Sequence, residues 1–154
     1  YLCYYTYNTI PGVANGANIL KGKVDGILKS TGKSKVDLVC HSMGGLVARY
    51  YMKNLGGAAK VNQVVYIATP HKGTIVAYGD LFTQAGRDLR PGSAIVNGLL
   101  GYCPGLSLWS SCDEVVIPNS SANYGYAVCS GCLGHILSTW TYSVYTKTRD
   151  YIKP

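Results

Sequence analysis

The chain has 154 residues, of which 47% are hydrophobic and 14% are charged, so it is long enough to bury a core and is not of the disordered class. Its formal charge of +7 comes from lysines and arginines that are scattered along the chain. A nucleic-acid-binding surface would concentrate them on one face, so these totals favour a single globular domain and argue against a nucleic-acid partner. No run of apolar residues is long enough to cross a membrane, and we expect no transmembrane segment.

The first third of the chain predicts a strand, a loop and a helix. Residues 1–7 are aromatic and β-prone and predict a strand, while residues 8–16 contain proline, glycine and asparagine and predict a loop. Apolar residues then recur at helical spacing over residues 17–30, and Gly32 follows them as a stop signal.

Strands and helices alternate along the rest of the chain. Further strands are predicted over 36–40, 61–68, 106–110 and 124–129, and further helices over 43–55 and from 136 to about 151. The glycine-dotted segment 75–105 shows weak helical patterns at 81–85 and 94–99. This alternation predicts an α/β fold with a mostly parallel sheet and helices on both faces, in three layers.

The sequence Cys40-His41-Ser42-Met43-Gly44 joins a predicted strand to a predicted helix. A nucleophile elbow has this form, because a serine on a strained strand-to-helix turn stands clear of the sheet, and small residues two positions either side let strand and helix approach. Cys40 is small enough for the first of those positions. The alternative is an ordinary helix start with Ser42 as its N-cap.

A serine nucleophile needs a histidine base and a carboxylate that orients it, and on this fold they follow in the order serine, acid, histidine. His135 follows a predicted strand and precedes the last helix, whereas His71 would precede the acid and His41 adjoins the serine. Asp113, which closes the strand over 106–110, is the preferred acid, and Glu114 is the fallback.

The same fold uses the backbone N–H of the residue after the serine, here Met43, as one donor of the oxyanion hole. The second donor should come from a loop after an earlier strand. We expect that strand and loop to precede Tyr1, so that the sequence is N-terminally incomplete.

Five stretches, at 31–45, 50–57, 69–74, 110–119 and 134–136, resemble the small secreted bacterial lipases of the α/β-hydrolase superfamily, of the Bacillus lipase A type (family I.4) and its clostridial relatives. The resemblance implies a minimal α/β-hydrolase fold without a lid domain and the catalytic set Ser42, Asp113 and His135. It also implies secreted hydrolysis of acylglycerols and simple acyl esters, with no cofactor and no metal.

Six cysteines favour an oxidising compartment, and a lone C-x-x-C over 129–132 does not make a zinc site. Given the resemblance, Cys112 near the acid could form a disulfide with Cys129 or Cys132 near the base. Cys40 and Cys103 are expected to be buried and inert, and Cys3 unpaired.

We therefore expect a triacylglycerol lipase or carboxylesterase that is a monomer. Its substrate is expected to be a small-molecule or lipid ester, which it could meet at a lipid–water interface. The alternative is a non-catalytic binding protein of the same fold that lacks half the oxyanion hole. Lipase, polyesterase and acyltransferase use the same residues, so the sequence does not separate them, and acyl-chain preference is equally unreadable.

Overall fold

The computed structural model describes residues 2–153. Its centre is a four-stranded parallel sheet in the order β1 (Val36–His41), β2 (Val61–Ile67), β3 (Leu106–Trp109) and β4 (Tyr126–Cys129). Since all four strands run in the same direction, their carboxyl ends meet at one edge of the sheet. The loops that follow the strands are therefore brought together there.

Helices cover both faces of this sheet. They are α1 (Gly12–Thr31), α2 (Met43–Asn54), α3 (Gln84–Leu89), α4 (Ala94–Leu99) and α5 (Tyr142–Ile152). On one face α1 and α2 pack together with Val64 and Tyr66 of β2, and on the other Val144 of α5 packs with Val65 and Ile67. The side chains of β2 thus alternate between two cores, and the predicted three-layer α/β architecture is confirmed.

The strand predicted over 1–7 is wrong. Residues 2–9 form no helix or strand, and Tyr1 lies outside the described residues. Their aromatic side chains serve packing instead, because Tyr5 and Tyr7 lie against the core of α1 and α2. Leu2 and Tyr4 are exposed.

Helix boundaries also differ from prediction, and the weak pattern at 81–85 corresponds to α3, which begins only at Gln84. α1 begins at Gly12 rather than at residue 17, because the carboxylate of Asp88 accepts the N–H of Val13 at 2.8 Å and satisfies the helix start from a distant part of the chain. The helix predicted from residue 136 is split into a 3₁₀ turn, Leu137–Thr139, and α5. Thr141, with φ −89° and ψ 132°, is extended and separates the two.

Within residues 2–153, none of the helices combines the length and the apolar character that crossing a bilayer requires.

Candidate active site

Ser42 lies on a sharp turn between β1 and α2. Its backbone has φ 54° and ψ −131°, a conformation that costs a residue with a Cβ of the order of 1–3 kcal/mol. The N–H of Ser42 donates to Ile67 O of the adjacent strand at 2.9 Å, and the N–H of Gly45 donates to Ser42 O at 3.0 Å. Strand and helix therefore hold the turn from both sides, as a nucleophile elbow requires.

The second glycine after the serine permits the close approach of α2 to the loop after β2. A Cβ on Gly45 would lie 2.6 Å from Thr69 Cγ2, whereas a Cβ on Gly44 would meet no atom within 4 Å. The spacing Ser-x-Gly-Gly thus has a packing reason at Gly45.

His135 lies beside Ser42, although the two residues are 93 positions apart. Its Nε2 is 2.9 Å from Ser42 Oγ, so the serine hydroxyl is placed to donate to the imidazole. The Ser42 side chain points to this partner and makes no capping bond to α2, which contradicts the alternative that it is an ordinary N-cap.

Asp113 completes a chain of hydrogen bonds from the serine. Both of its carboxylate oxygens lie near His135 Nδ1, at 2.8 and 3.0 Å, and since a carboxylate only accepts, Nδ1 carries the proton. Asp113 is itself buried and also accepts the N–H groups of Val115 and Val116. The imidazole is thereby left with Nε2 free to accept a proton from Ser42.

The loop that carries His135 is fixed to the loop that carries Asp113. Cys112 and Cys132 form a disulfide, which selects Cys132 between the two partners left open by the sequence. At the end of β3, Ser110 Oγ donates to Leu133 O at 2.6 Å and accepts from Leu133 N at 2.7 Å. These links hold Asp113 and His135 in register.

Glu114, the fallback acid, has a different position. Its carboxylate accepts the backbone N–H of His135 at 2.9 Å, and the side chain is exposed. It contacts the main chain of the base rather than the ring. Nothing in the local sequence pattern indicated this contact, because it depends on how two loops meet.

His41 also contacts the base. Its Nε2 lies 3.1 Å from the carbonyl oxygen of His135, and the two rings are 4.7 Å apart. Burial lowers the pKa of His41 below its usual value; the bond to that carbonyl and Asp113 raise it, while the His135 ring lowers it. The sequence correctly placed His41 away from the serine hydroxyl but gave no sign of this contact.

Met43 is the first residue of α2, where backbone N–H groups have no acceptor within the helix. The positive end of the helix dipole lies at the same place. Met43 thus lies directly after Ser42 at the start of α2, and its role as an oxyanion donor stays a prediction.

The remaining thiols lie apart from this hydrogen-bond chain. Cys3 and Cys129 are free and exposed, while Cys40 and Cys103, predicted to be buried, are half-buried. Desolvation raises the pKa of Cys40 to about 12 and also raises that of Cys103, so both stay protonated near neutral pH. Among residues 2–153, no three His, Cys, Asp or Glu side chains form a group that could hold a metal ion.

Large apolar side chains are exposed on the loops at the carboxyl edge of the sheet, where Ser42 lies. Phe82 is 90% exposed and Trp140 is 82% exposed, and the N–H of Ile75 donates to Ile117 O, which joins two of these loops. We call this set the apolar rim: Ile75, Val76, Tyr78, Leu81, Phe82, Ile117, Ile136, Leu137 and Trp140. These side chains follow the carboxyl ends of β2, β3 and β4 in the chain, and exposed apolar surface next to a site is a candidate binding surface.

Comparisons with known proteins agree with this architecture. A family model described as a domain of unknown function (DUF7379) matches residues 14–84. Among solved structures, the mature form of the Bacillus licheniformis lipase BlEst2 matches with a TM-score of 0.68 and 17% identity, over 88% of this chain and 74% of that chain.

The propeptide form of the same lipase matches with a TM-score of 0.69 and 16% identity, over 92% of this chain and 41% of that one. Aspergillus fumigatus lipase B matches with a TM-score of 0.66 and 18% identity, and this chain spans only 35% of its length. At such identities the likeness shows the fold, and the chain has the α/β-hydrolase fold predicted from its sequence.

Proposed function

We propose that the protein is a serine-dependent carboxylic ester hydrolase, and more narrowly a lipase or carboxylesterase that acts on acylglycerols and simple acyl esters. One observation carries the proposal: the unbroken chain of hydrogen bonds from Ser42 Oγ through the His135 ring to the Asp113 carboxylate. An unactivated serine is a poor nucleophile at neutral pH, and this arrangement supplies a base for its proton and a carboxylate that orients the base.

In the proposed mechanism, Ser42 Oγ attacks the ester carbonyl carbon while His135 Nε2 takes the hydroxyl proton. The buried carboxylate of Asp113 orients the imidazole and stabilises its charged form. The N–H of Met43 donates to the oxyanion of the tetrahedral intermediate, which stabilises the transition state.

The intermediate then collapses. His135 gives its proton to the leaving alcohol, and an acyl-enzyme remains on Ser42. Water activated by His135 hydrolyses this ester and frees the carboxylic acid, which restores the serine. No cofactor and no metal takes part in the proposed steps, and we propose that the protein acts as a monomer.

The apolar rim supports an acyl ester as substrate rather than a polar one. A hydrocarbon chain placed against exposed apolar side chains is removed from water, with a gain of roughly 25 cal/mol per Å² buried. The disulfide between Cys112 and Cys132 supports secretion, because such bonds persist in oxidising compartments.

Labelling with a fluorophosphonate followed by intact-mass measurement tests the chemistry. We expect one adduct, mapped to Ser42, and loss of labelling in Ser42→Ala. Hydrolysis of a short p-nitrophenyl ester should fall by at least about 10³-fold in the same variant. The matched control is Ser34→Ala, on the exposed loop before β1, which should keep wild-type labelling and rate.

The absence of an adduct in wild type would favour the non-catalytic binding protein instead.

Phe82→Ser and Trp140→Ser test the substrate class. Both should slow hydrolysis of emulsified triacylglycerol and leave the short soluble ester unaffected; equal rates on the emulsion would contradict the lipid-ester substrate.

A further inference from the structure

The carbonyl oxygen of His135 has two hydrogen-bond donors. Ser138 Oγ donates to it at 2.7 Å from three residues further on, which is a local bond of the 3₁₀ turn. His41 Nε2 lies 3.1 Å from the same oxygen and comes from the end of β1, 94 residues earlier. The second bond therefore ties the loop of the base to the sheet.

The chemistry of this contact fixes its direction. A carbonyl oxygen only accepts, so His41 Nε2 carries the hydrogen, and a neutral imidazole is sufficient for the bond. Burial lowers the pKa of His41, which favours that neutral form. His41 thus donates without adding a positive charge beside the ring that must itself become charged.

His41 and Ser42 are consecutive in the chain. A hydrogen bond from His41 to the base loop therefore fixes the position of His135 relative to Ser42. Several other links to that loop come from the side of the acid, among them Glu114 on the His135 N–H, Ser110 on Leu133 and the disulfide between Cys112 and Cys132. Besides the bond between Ser42 Oγ and the His135 ring, His41 joins the elbow directly to the main chain of the base loop.

We propose that His41 is a positioning residue for His135. Through its Nε2–H it holds the imidazole at proton-transfer distance from Ser42 Oγ, now 2.9 Å. The proposal rests on the proposed ester hydrolase function. Reactive groups must be held within about 0.5 Å of the productive geometry, and a displacement of 1 Å costs on the order of 10²-fold in rate.

Two substitutions distinguish the hydrogen bond that His41 donates from the packing of its ring against His135. His41→Gln keeps an N–H donor near the position of Nε2 and loses the aromatic ring, whereas His41→Phe keeps a ring against His135 and loses the donor. For a short soluble p-nitrophenyl ester, we expect His41→Phe to lower kcat by about 10- to 100-fold with KM within about twofold. His41→Gln should recover to within about fivefold of wild type.

A packing role predicts the reverse order, with His41→Phe near wild type and His41→Gln impaired, and this result would overturn the proposal. Equal losses in the two variants would overturn it as well. Urea unfolding of both proteins identifies any general loss of folding.

A second readout does not depend on activity. The proton that His135 Nδ1 shares with Asp113 gives a low-field NMR resonance, which should weaken or shift in His41→Phe and stay in place in His41→Gln. An unchanged resonance in both variants contradicts the positioning role. A wild-type protein that shows the resonance but hydrolyses no ester and takes no fluorophosphonate contradicts only the proposed function.

Discussion

Acid should destabilise the fold through His71, a fully buried side chain outside the chain of hydrogen bonds from Ser42 to Asp113. His71 is 0% exposed and lies between Arg49 Nη1, 3.1 Å from its Nδ1, and Ser107 Oγ, 3.1 Å from its Nε2. Ser107 Oγ is also 2.9 Å from Tyr124 O, to which it donates. These contacts surround the imidazole with fixed partners.

The partners accept only a neutral His71. The guanidinium of Arg49 has donors and no acceptor, so Nδ1 must present its lone pair, and the single proton lies on Nε2 and points to Ser107 Oγ. A second proton would place an N–H against the guanidinium. The fold therefore excludes the charged imidazolium for steric and electrostatic reasons together.

Burial, with Arg49 and then Lys72 adding to it, lowers the pKa of His71 from 6.5 to about 3. Between pH 6.5 and about pH 3, His71 binds a proton in the unfolded chain but stays neutral in the folded chain. The free energy of unfolding therefore decreases as the pH is lowered through this range. Each pH unit is worth about 1.4 kcal/mol, and pH 5 is one and a half units below 6.5. We expect a loss of about 2 kcal/mol at pH 5 from this residue.

Urea unfolding at pH 7.5 and pH 5 measures the loss, in wild type and in His71→Asn. Asparagine keeps an acceptor for Arg49 and does not titrate, and His41 and His135 are present in both proteins, so their contributions cancel. The loss on acidification should be smaller in the variant by about 2 kcal/mol. Equal losses, or an NMR titration of His71 near pH 6.5, would refute the reasoning. The NMR titration decides alone if the variant does not fold.

Two further predictions concern the framework of the site. Gly45→Ala should lower the free energy of unfolding by about 1–3 kcal/mol, because its methyl group would overlap Thr69. Gly44→Ala has open space and should be neutral or up to about 1 kcal/mol more stable; equal unfolding midpoints for the pair would contradict this. Replacing Cys112 and Cys132 by serine removes a disulfide between residues 20 positions apart. It should lower the free energy of unfolding in urea by about 3 kcal/mol and reduce the rate of ester hydrolysis. A reductant should then have no effect on the double variant, although it destabilises wild type.

The sequence predicted those features that depend on neighbouring residues. The elbow at Ser42 is indicated by a strand, a serine followed closely by glycines and a helix, all of them neighbours in the chain. The structure gives Ser42 the strained backbone that was expected, with a positive φ, although the close approach occurs at Gly45 rather than at Gly44. The strands and helices from residue 36 onward follow from local periodicities, and the parallel sheet follows from their alternation; the order of the strands in the sheet was not predicted. Chain order then pointed to Asp113 and His135, which the structure brings into hydrogen-bond contact with each other.

Features that depend on distant contacts were missed. The start of α1 is set by Asp88, 75 residues after Val13, and no pattern near Gly12 records it. The strand predicted over 1–7 has β-prone residues, yet a strand exists only with a partner for its backbone, and propensity does not supply one. The contacts of His41 and Glu114 with His135 belong to the same class, because they join segments that are 94 and 21 residues apart in the chain.

Two buried histidines show why residue type alone could not assign the base. His71 and His135 are 0% and 4% exposed, so burial does not distinguish them. The partner of the Nδ1 atom does: for His135 it is the Asp113 carboxylate at 2.8 Å, and for His71 it is the Arg49 guanidinium at 3.1 Å. A general base must become positively charged during the reaction. A carboxylate stabilises that charge and a guanidinium opposes it, so His71 would be unfit for the role even beside Ser42. The sign of one neighbouring charge separates a structural histidine from one that can take a proton.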